Sequence, residues 1–349
     1  MNKSKIQNIE FLRIIFTTFV LCCHILNRLK IWNMAWIGVE FFFILSGFFL
    51  VYTFDKKVDV ISFIKQKIIR FIPLMMIVPF VSNFVKSKMN FLYYNDNFFS
   101  NMFSGILFFP TPGLHMVKGD VVVGWYICIL FWASLFYFYL MKHYRKETVN
   151  MITMLIIFFS YTGLPANFGD AYGEVNVFIN VNILRGLGGM GIGYFCALFI
   201  MDGHKISFKN KFWCSLVELL LLMYCFTAVF CKYLFPNNPR LYVVAVTFLV
   251  ILFIQKDGYF SNLLNEYNWS AISKYCLATY LCQGIIVYDL FSILYASYPK
   301  DWALGCFIGG IVLSCWLLGI LSHYIVEKNG KRFMDNLLSN DYKKIKTKK

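Results

Sequence analysis

The chain has 349 residues, of which 59% are hydrophobic, 20% aromatic and only 15% charged, with a formal charge of +15. A charged share well below the usual quarter, with apolar runs from end to end, excludes an ordinary soluble domain. The basic excess sorts to one side of a membrane, which excludes the nucleic-acid reading that such a charge would otherwise invite.

The apolar runs fall near 9–29, 36–54, 69–86, 121–141, 150–164, 177–201, 212–231, 240–255, 275–296 and 302–326. They predict an all-α fold, a polytopic membrane helix bundle of about ten transmembrane helices. The start, MNKSKIQNIEFLRII, carries Arg13 and lacks a small-residue cleavage site, so it reads as a retained first helix. With both termini cytoplasmic, 23 Lys and Arg fall inside and 8 outside, while Arg13 and Arg185 lie within spans. That bias supports this orientation. The aromatic loop at about 87–120 faces outward and reads as an interfacial or re-entrant segment. The tail, ending YKKIKTKK, reads as an anchor near anionic lipid. The cysteines show no CxxC and no zinc spacing, so they read as packing residues and no metal site is expected.

Ionisable residues inside spans are costly in a bilayer and are usually kept for function. Arg13 and His24 share the first span, eleven residues apart. Eleven steps of a helix leave both on one face, with His24 roughly 16 Å deeper. Counted from the span ends, His24 and Glu40 both lie roughly 6–7 Å below the outer boundary on adjacent helices. A carboxylate at that level would fix the imidazole tautomer and raise its basicity. Lys67 and Arg70 stand i, i+3 at the cytoplasmic start of the third span, followed by Pro73. With a helix N-terminus and Arg13 at the same level, they would favour an anion. Arg185 lies mid-span among Gly186, Gly188, Gly189, Gly191 and Gly193, with Asp289 as a possible partner. The glycines read as packing. The plain alternatives are a packing histidine, a glutamate at the wet interface and a snorkelling arginine.

At these residues the chain resembles the acyltransferase 3 family of multi-spanning bacterial membrane O-acyltransferases, which includes polysaccharide O-acetylases. The Arg-x10-His pattern is Arg13 to His24. The stretch GVEFFFILSGF, Gly38 to Phe48, contains Glu40 and Ser46, and the basic-x-x-Arg-x-x-Pro pattern is Lys67, Arg70 and Pro73. GWYICILFW, ILRGLGGMGIGYF, ISKYCLATYLCQ and YIVEKNGKRF resemble later segments of the family. Gln283 stands where many members have His, and Asn329 where many have Pro.

The resemblance implies a transmembrane acyltransferase domain over 1–330 and a basic cytoplasmic tail over 331–349. It implies that the enzyme moves an acyl group, acetyl foremost, from cytoplasmic acyl-CoA to a hydroxyl of a cell-envelope glycan, lipid-linked acceptors included. His24 would be the general base, oriented by Glu40. Arg13, Arg70 and Lys67 would bind the donor, with Ser46 and Arg185 in support. No bound cofactor is implied; acetyl-CoA or another acyl-CoA is a co-substrate. The expected partners are acyl-CoA, the glycan acceptor and membrane lipid, with no nucleic acid. The expected location is the bacterial cytoplasmic (inner) membrane. The alternative is a non-enzymatic transporter or exporter of glycan or lipid-linked intermediates that uses the same polar groups as a path.

Overall fold

The computed structural model describes residues 6–31, 37–89, 124–164, 174–176, 179–230, 239–298 and 303–336. Nearly all of the aromatic loop at 87–120 and the end of the basic tail lie outside these residues. Each of the apolar segments predicted above contains a helix among its described residues. Among the described residues, five helices are long and apolar enough to cross a membrane: Gln7–Arg28, Trp125–His143, Val181–Met201, Ser270–Ala296 and Leu304–Asn336. A bent pair, Pro239–Gln255 with Tyr259–Asn265, makes a sixth, and Gly38–Tyr52 is a shorter apolar helix. The expected all-α fold is borne out as a helical membrane bundle, with one small addition. Glu174–Asn176 (β1) and Ile179–Asn180 (β2) pair antiparallel as a small hairpin.

The helices divide into two compact units. The first holds α1 (Gln7–Arg28), α2 (Gly38–Tyr52), most of α4 (Trp125–His143), α5 (Lys146–Gly163), α6 (Val181–Met201), α7 (Lys211–Phe230), α8 (Pro239–Gln255), α9 (Tyr259–Asn265) and α10 (Ser270–Ser273). The second holds α3 (Val60–Met89), the first turns of α4, α11 (Cys276–Gly284, from Leu277), α12 (Phe291–Ala296) and α13 (Leu304–Ser322).

Between helices in lipid, apolar burial gains little from water, so close backbone contact and polar pairs must hold neighbours together. The first unit uses both. Its α2 and α6 cross at glycines: a Cβ on Gly193 would sit 2.0 Å from the carbonyl oxygen of Ile44, and one on Gly47 would sit 2.1 Å from that of Met190. Only hydrogen side chains permit that approach. This bears out the packing role expected of the glycine-rich segment. Elsewhere in the unit, Tyr137 on α4 donates to the carbonyl of Leu187 at 2.9 Å, and Tyr194 donates to Asn150 Oδ1 at 2.7 Å. Arg240, in the first turn of α8, donates to the carbonyls of Tyr161 and Leu164 at 3.0 and 2.6 Å. It thereby satisfies carbonyls at the C-terminal end of α5 that the helix itself leaves open.

The break between α8 and α9 bends the chain by 65°. A bend leaves the new N-terminus of α9 with unpaired amides, which are expensive away from water. Two side chains of α7 meet them. Glu218 Oε2 accepts from the amide of Ser261 at 3.1 Å, and Ser215 Oγ accepts from that of Phe260 at 3.1 Å. Gly258 leaves room for the carboxylate, since a Cβ there would come within 2.4 Å of Glu218 Oε2. Glu218 is fully buried, and this capping role accounts for an intramembrane acid by structure alone.

In the second unit, α3 begins at Val60, two turns earlier than the predicted span. Asp59 caps it, its Oδ1 accepting from the amide of Ser62 at 2.7 Å. Pro73 and Pro79 lie inside this helix. Gly330 stands against the Pro73 ring, where a Cβ would come within 2.4 Å of the proline Cβ. A π-helical turn, Ile285–Leu290, joins α11 to α12 and carries Asp289, which accepts from Ser82 Oγ of α3 at 2.5 Å. A second π-helical turn, His323–Glu327, follows α13, and the helix then continues to Asn336. Such turns displace a side chain from the regular ladder and recur at functional positions.

Candidate active site

Arg13 and His24 share one uninterrupted helix, α1. Their eleven-residue separation therefore keeps them on one face, with a rise of roughly 16 Å between them. His24 is half-buried and stands one turn before the helix ends at Arg28.

Arg13 does not stand as a lone cation. Its Nη1 donates to Glu10 Oε2 at 2.7 Å, and the same carboxylate oxygen accepts from the hydroxyl of Ser273 on α10. Glu10 is 6% exposed, and the Arg13 side chain 23%. One turn earlier, Gln7 Oε1 accepts from the amide of Ser270 at 3.0 Å. The face of α1 that carries Arg13 is thus fastened to α10 by two polar residues set i, i+3. Glu10 was not singled out above. Its signal was present, as an acid three residues before an arginine in the first turns of a helix.

Glu40 stands elsewhere than expected. Its Oε1 accepts from Arg185 Nε of α6 at 2.6 Å, and Arg185 Nη1 donates to Asn182 Oδ1 at 3.0 Å. Glu40 is fully buried and Arg185 is 3% exposed. Glu40 Oε2 has no hydrogen-bond partner among the described residues. The expected His24–Glu40 bond is therefore absent, and the helix register explains why. Phe16 stacks on Phe41 with ring centroids 4.2 Å apart, and Gly38 lies against Val20. This register sets Glu40 level with Thr17, seven positions before His24 on α1, or about 10 Å along the axis. The prediction failed because depth was counted from span ends, as if α1 and α2 ended at one boundary. In fact α1 runs on well past the first turn of α2.

Arg185 has a partner other than the one suggested above. It pairs with Glu40, whereas Asp289 accepts from Ser82 in the second unit. Ser46 lies half-buried on α2.

Lys67 and Arg70 belong to the second unit and Arg13 to the first, so the residues of the expected anion site fall in separate units. Lys67 is half-buried, with Nζ 5.2 Å from the centroid of Phe63 and 6.0 Å from that of Phe71. Arg70 is exposed, 5.6 Å from the Phe71 ring. Because α3 begins at Val60, both residues lie well beyond the first turn. The helix N-terminus therefore does not join them in holding an anion, and Asp59 already caps it. What remains is a pair of cations one turn apart beside aromatic faces.

A buried acid in the second unit also went unremarked above. Glu327, 4% exposed, ends the second π-helical turn. His323 Nδ1 lies 2.8 Å from its Oε2, and Lys331 Nζ donates to its Oε1 at 2.6 Å. The His-x3-Glu-x3-Lys spacing, which places all three on one helix face, was its signal.

The geometry gives α1 two polar stations, a cation tied to an acid and an imidazole, with a buried ion pair beside the stretch between them. Searches of curated proteins and of solved structures return no match. A family model described as an acyltransferase domain matches residues 6–320. The chain belongs to the acyltransferase 3 family, as a membrane acyltransferase with several apolar helices.

Proposed function

We propose that this protein is an integral membrane O-acyltransferase. It moves an acetyl group from cytoplasmic acetyl-CoA to a hydroxyl of a cell-envelope glycan, from the cytoplasmic membrane of a bacterium and through about ten spans with both termini inside. The observation that carries this reading is the single continuous helix α1, with Arg13 near one end and His24 near the other. The family match supplies the reaction class.

In this reading Arg13 faces the cytoplasm and meets the donor's phosphates, as do Arg70 and Lys67 of α3. The flexible arm of the donor carries the thioester toward His24. The imidazole accepts the proton of the acceptor hydroxyl as its oxygen attacks the thioester carbonyl. The C–S bond breaks and the CoA thiolate leaves, taking a proton. Glu40 has no part in orienting the base; its pair with Arg185 holds α2 against α6. Ser46, half-buried on α2, is kept as a supporting residue of the site.

The test is acetyl transfer from labelled acetyl-CoA in membranes containing wild type or His24→Ala. A loss of roughly 100-fold or more is expected for a general base. Full activity in the variant would remove His24 from the mechanism. Wild-type protein that neither binds nor turns over acyl-CoA would end the enzyme reading itself.

A further inference from the structure

Gln283 lies on α11 in the second unit, 1% exposed, and neither Nε2 nor Oε1 has a hydrogen-bond partner among the described residues. An enclosed carboxamide with both groups unmet is an expensive residue to keep. A leucine of similar size would remove two desolvation penalties. Its position in the unit can be read from two contacts. Asp289 meets Ser82, which sets Gln283, six residues earlier, level with Met76 of α3. Cys282 Sγ donates to Ser322 Oγ at 3.1 Å, and Gly330, eight residues beyond Ser322, lies against Pro73.

With α3 and α11 running outward and α13 inward, these registers put Gln283 about 9 to 18 Å outward of Arg70 along the helix axis. An anion held at Arg70 and Lys67 is thus followed, further outward along the same helices, by a neutral group that both donates and accepts. Coenzyme A has that order of parts: charged phosphates, then an arm with two secondary amides, then the thioester.

We propose that Gln283 binds an amide of the pantetheine arm of the acyl donor. This rests on the acyl-CoA reading above. Amide meets amide, so the carboxamide gains in the loaded protein the hydrogen bonds it lacks alone. The arm is also fixed in the half of the bilayer where the thioester must travel. Gln283 is a binding residue here and takes no proton in the reaction.

The experiment is steady-state kinetics of the full chain in membranes, with acetyl-CoA and with S-acetyl-pantetheine, which keeps both amides and lacks the nucleotide. Wild type is compared with Gln283→Leu. The expected result is a rise of roughly tenfold in KM for both donors, with KM for the acceptor unchanged. The midpoint of thermal unfolding without donor should be at least that of wild type, since two unmet groups are gone. Unchanged donor KM, or a rise confined to the acceptor, would overturn the assignment. If the leucine variant does not accumulate, Gln283→Asn withdraws the amide by one methylene and should give the same donor-selective rise; donor KM at the wild-type value there overturns it equally. Wild-type turnover of acetyl-CoA in the same membranes separates the two ideas. Without it the enzyme reading fails; with it, a null result removes only the Gln283 subsite.

Discussion

Arg185 on α6 donates its Nε proton to Glu40 on α2 across 2.6 Å, in a place where both side chains are almost wholly enclosed. Such a pair stabilises little compared with an apolar replacement, yet removing one partner leaves a bare buried charge. Arg185→Met alone should therefore destabilise the protein by about 3–5 kcal/mol. The double variant Glu40→Leu with Arg185→Met should regain most of that. Thermal unfolding of the four proteins in detergent makes the double-mutant cycle. If the losses simply add, the pair is not coupled.

The α2–α6 contact should be intolerant of a single methyl group. Gly193→Ala places a Cβ 2.0 Å from a backbone carbonyl that has nowhere to retreat, and Gly47→Ala does the same. A loss of about 1–3 kcal/mol or more is expected at each, with reduced folded yield. Gly305→Ala and Gly309→Ala on α13 meet nothing within 4 Å and should match wild type. Comparing folded yield across the four is the measurement.

Arg13 has a structural contact with Glu10 and a proposed role in donor binding, and the two can be separated. Arg13→Ala leaves the enclosed Glu10 carboxylate without its cation, at a cost of about 1–3 kcal/mol. Adding Glu10→Gln removes that charge and keeps an acceptor for Ser273, so stability should return. Donor affinity should not return, because the guanidinium is still missing. Recovery of both in the double variant would make Arg13 purely structural.

Glu218 is predicted to matter for shape alone. Glu218→Ala uncovers the amides at the start of α9 and should cost about 1–2 kcal/mol. Hydrogen exchange over residues 259–265 should rise first. An effect on KM for either substrate, without change in that exchange, would contradict a capping role.

Much of this was legible in the sequence for a simple physical reason. Lipid forces every spanning segment to be apolar and to satisfy its backbone internally, so the helices announce themselves. The glycines of α6 and the shared face of Arg13 and His24 followed from local spacing. What failed was long-range. Glu40 and Arg185 are 145 positions apart, and no local pattern joins them. The depth of Glu40 depended on where α2 begins relative to α1, which hydropathy does not fix to within a turn. The start of α3 was missed because its first two turns are too polar to read as membrane, although Asp59 followed three residues later by Ser62 marked the cap. Glu10 and Glu327 were passed over because acids near span ends look like solvated residues until a neighbour encloses them.

The Glu40–Arg185 pair also sets an order of events during biosynthesis. The ribosome makes Glu40 145 residues before Arg185, which at usual elongation rates is a wait of roughly 7–30 s. Throughout that interval α2 has its acid and no partner for it. The phenylalanine-rich remainder of α2 must carry the segment into the bilayer regardless, with Glu40 taking up a proton or staying near the insertion machinery. The α2–α6 contact therefore forms late, and truncated chains that end before α6 should leave α2 exposed to quality-control proteolysis.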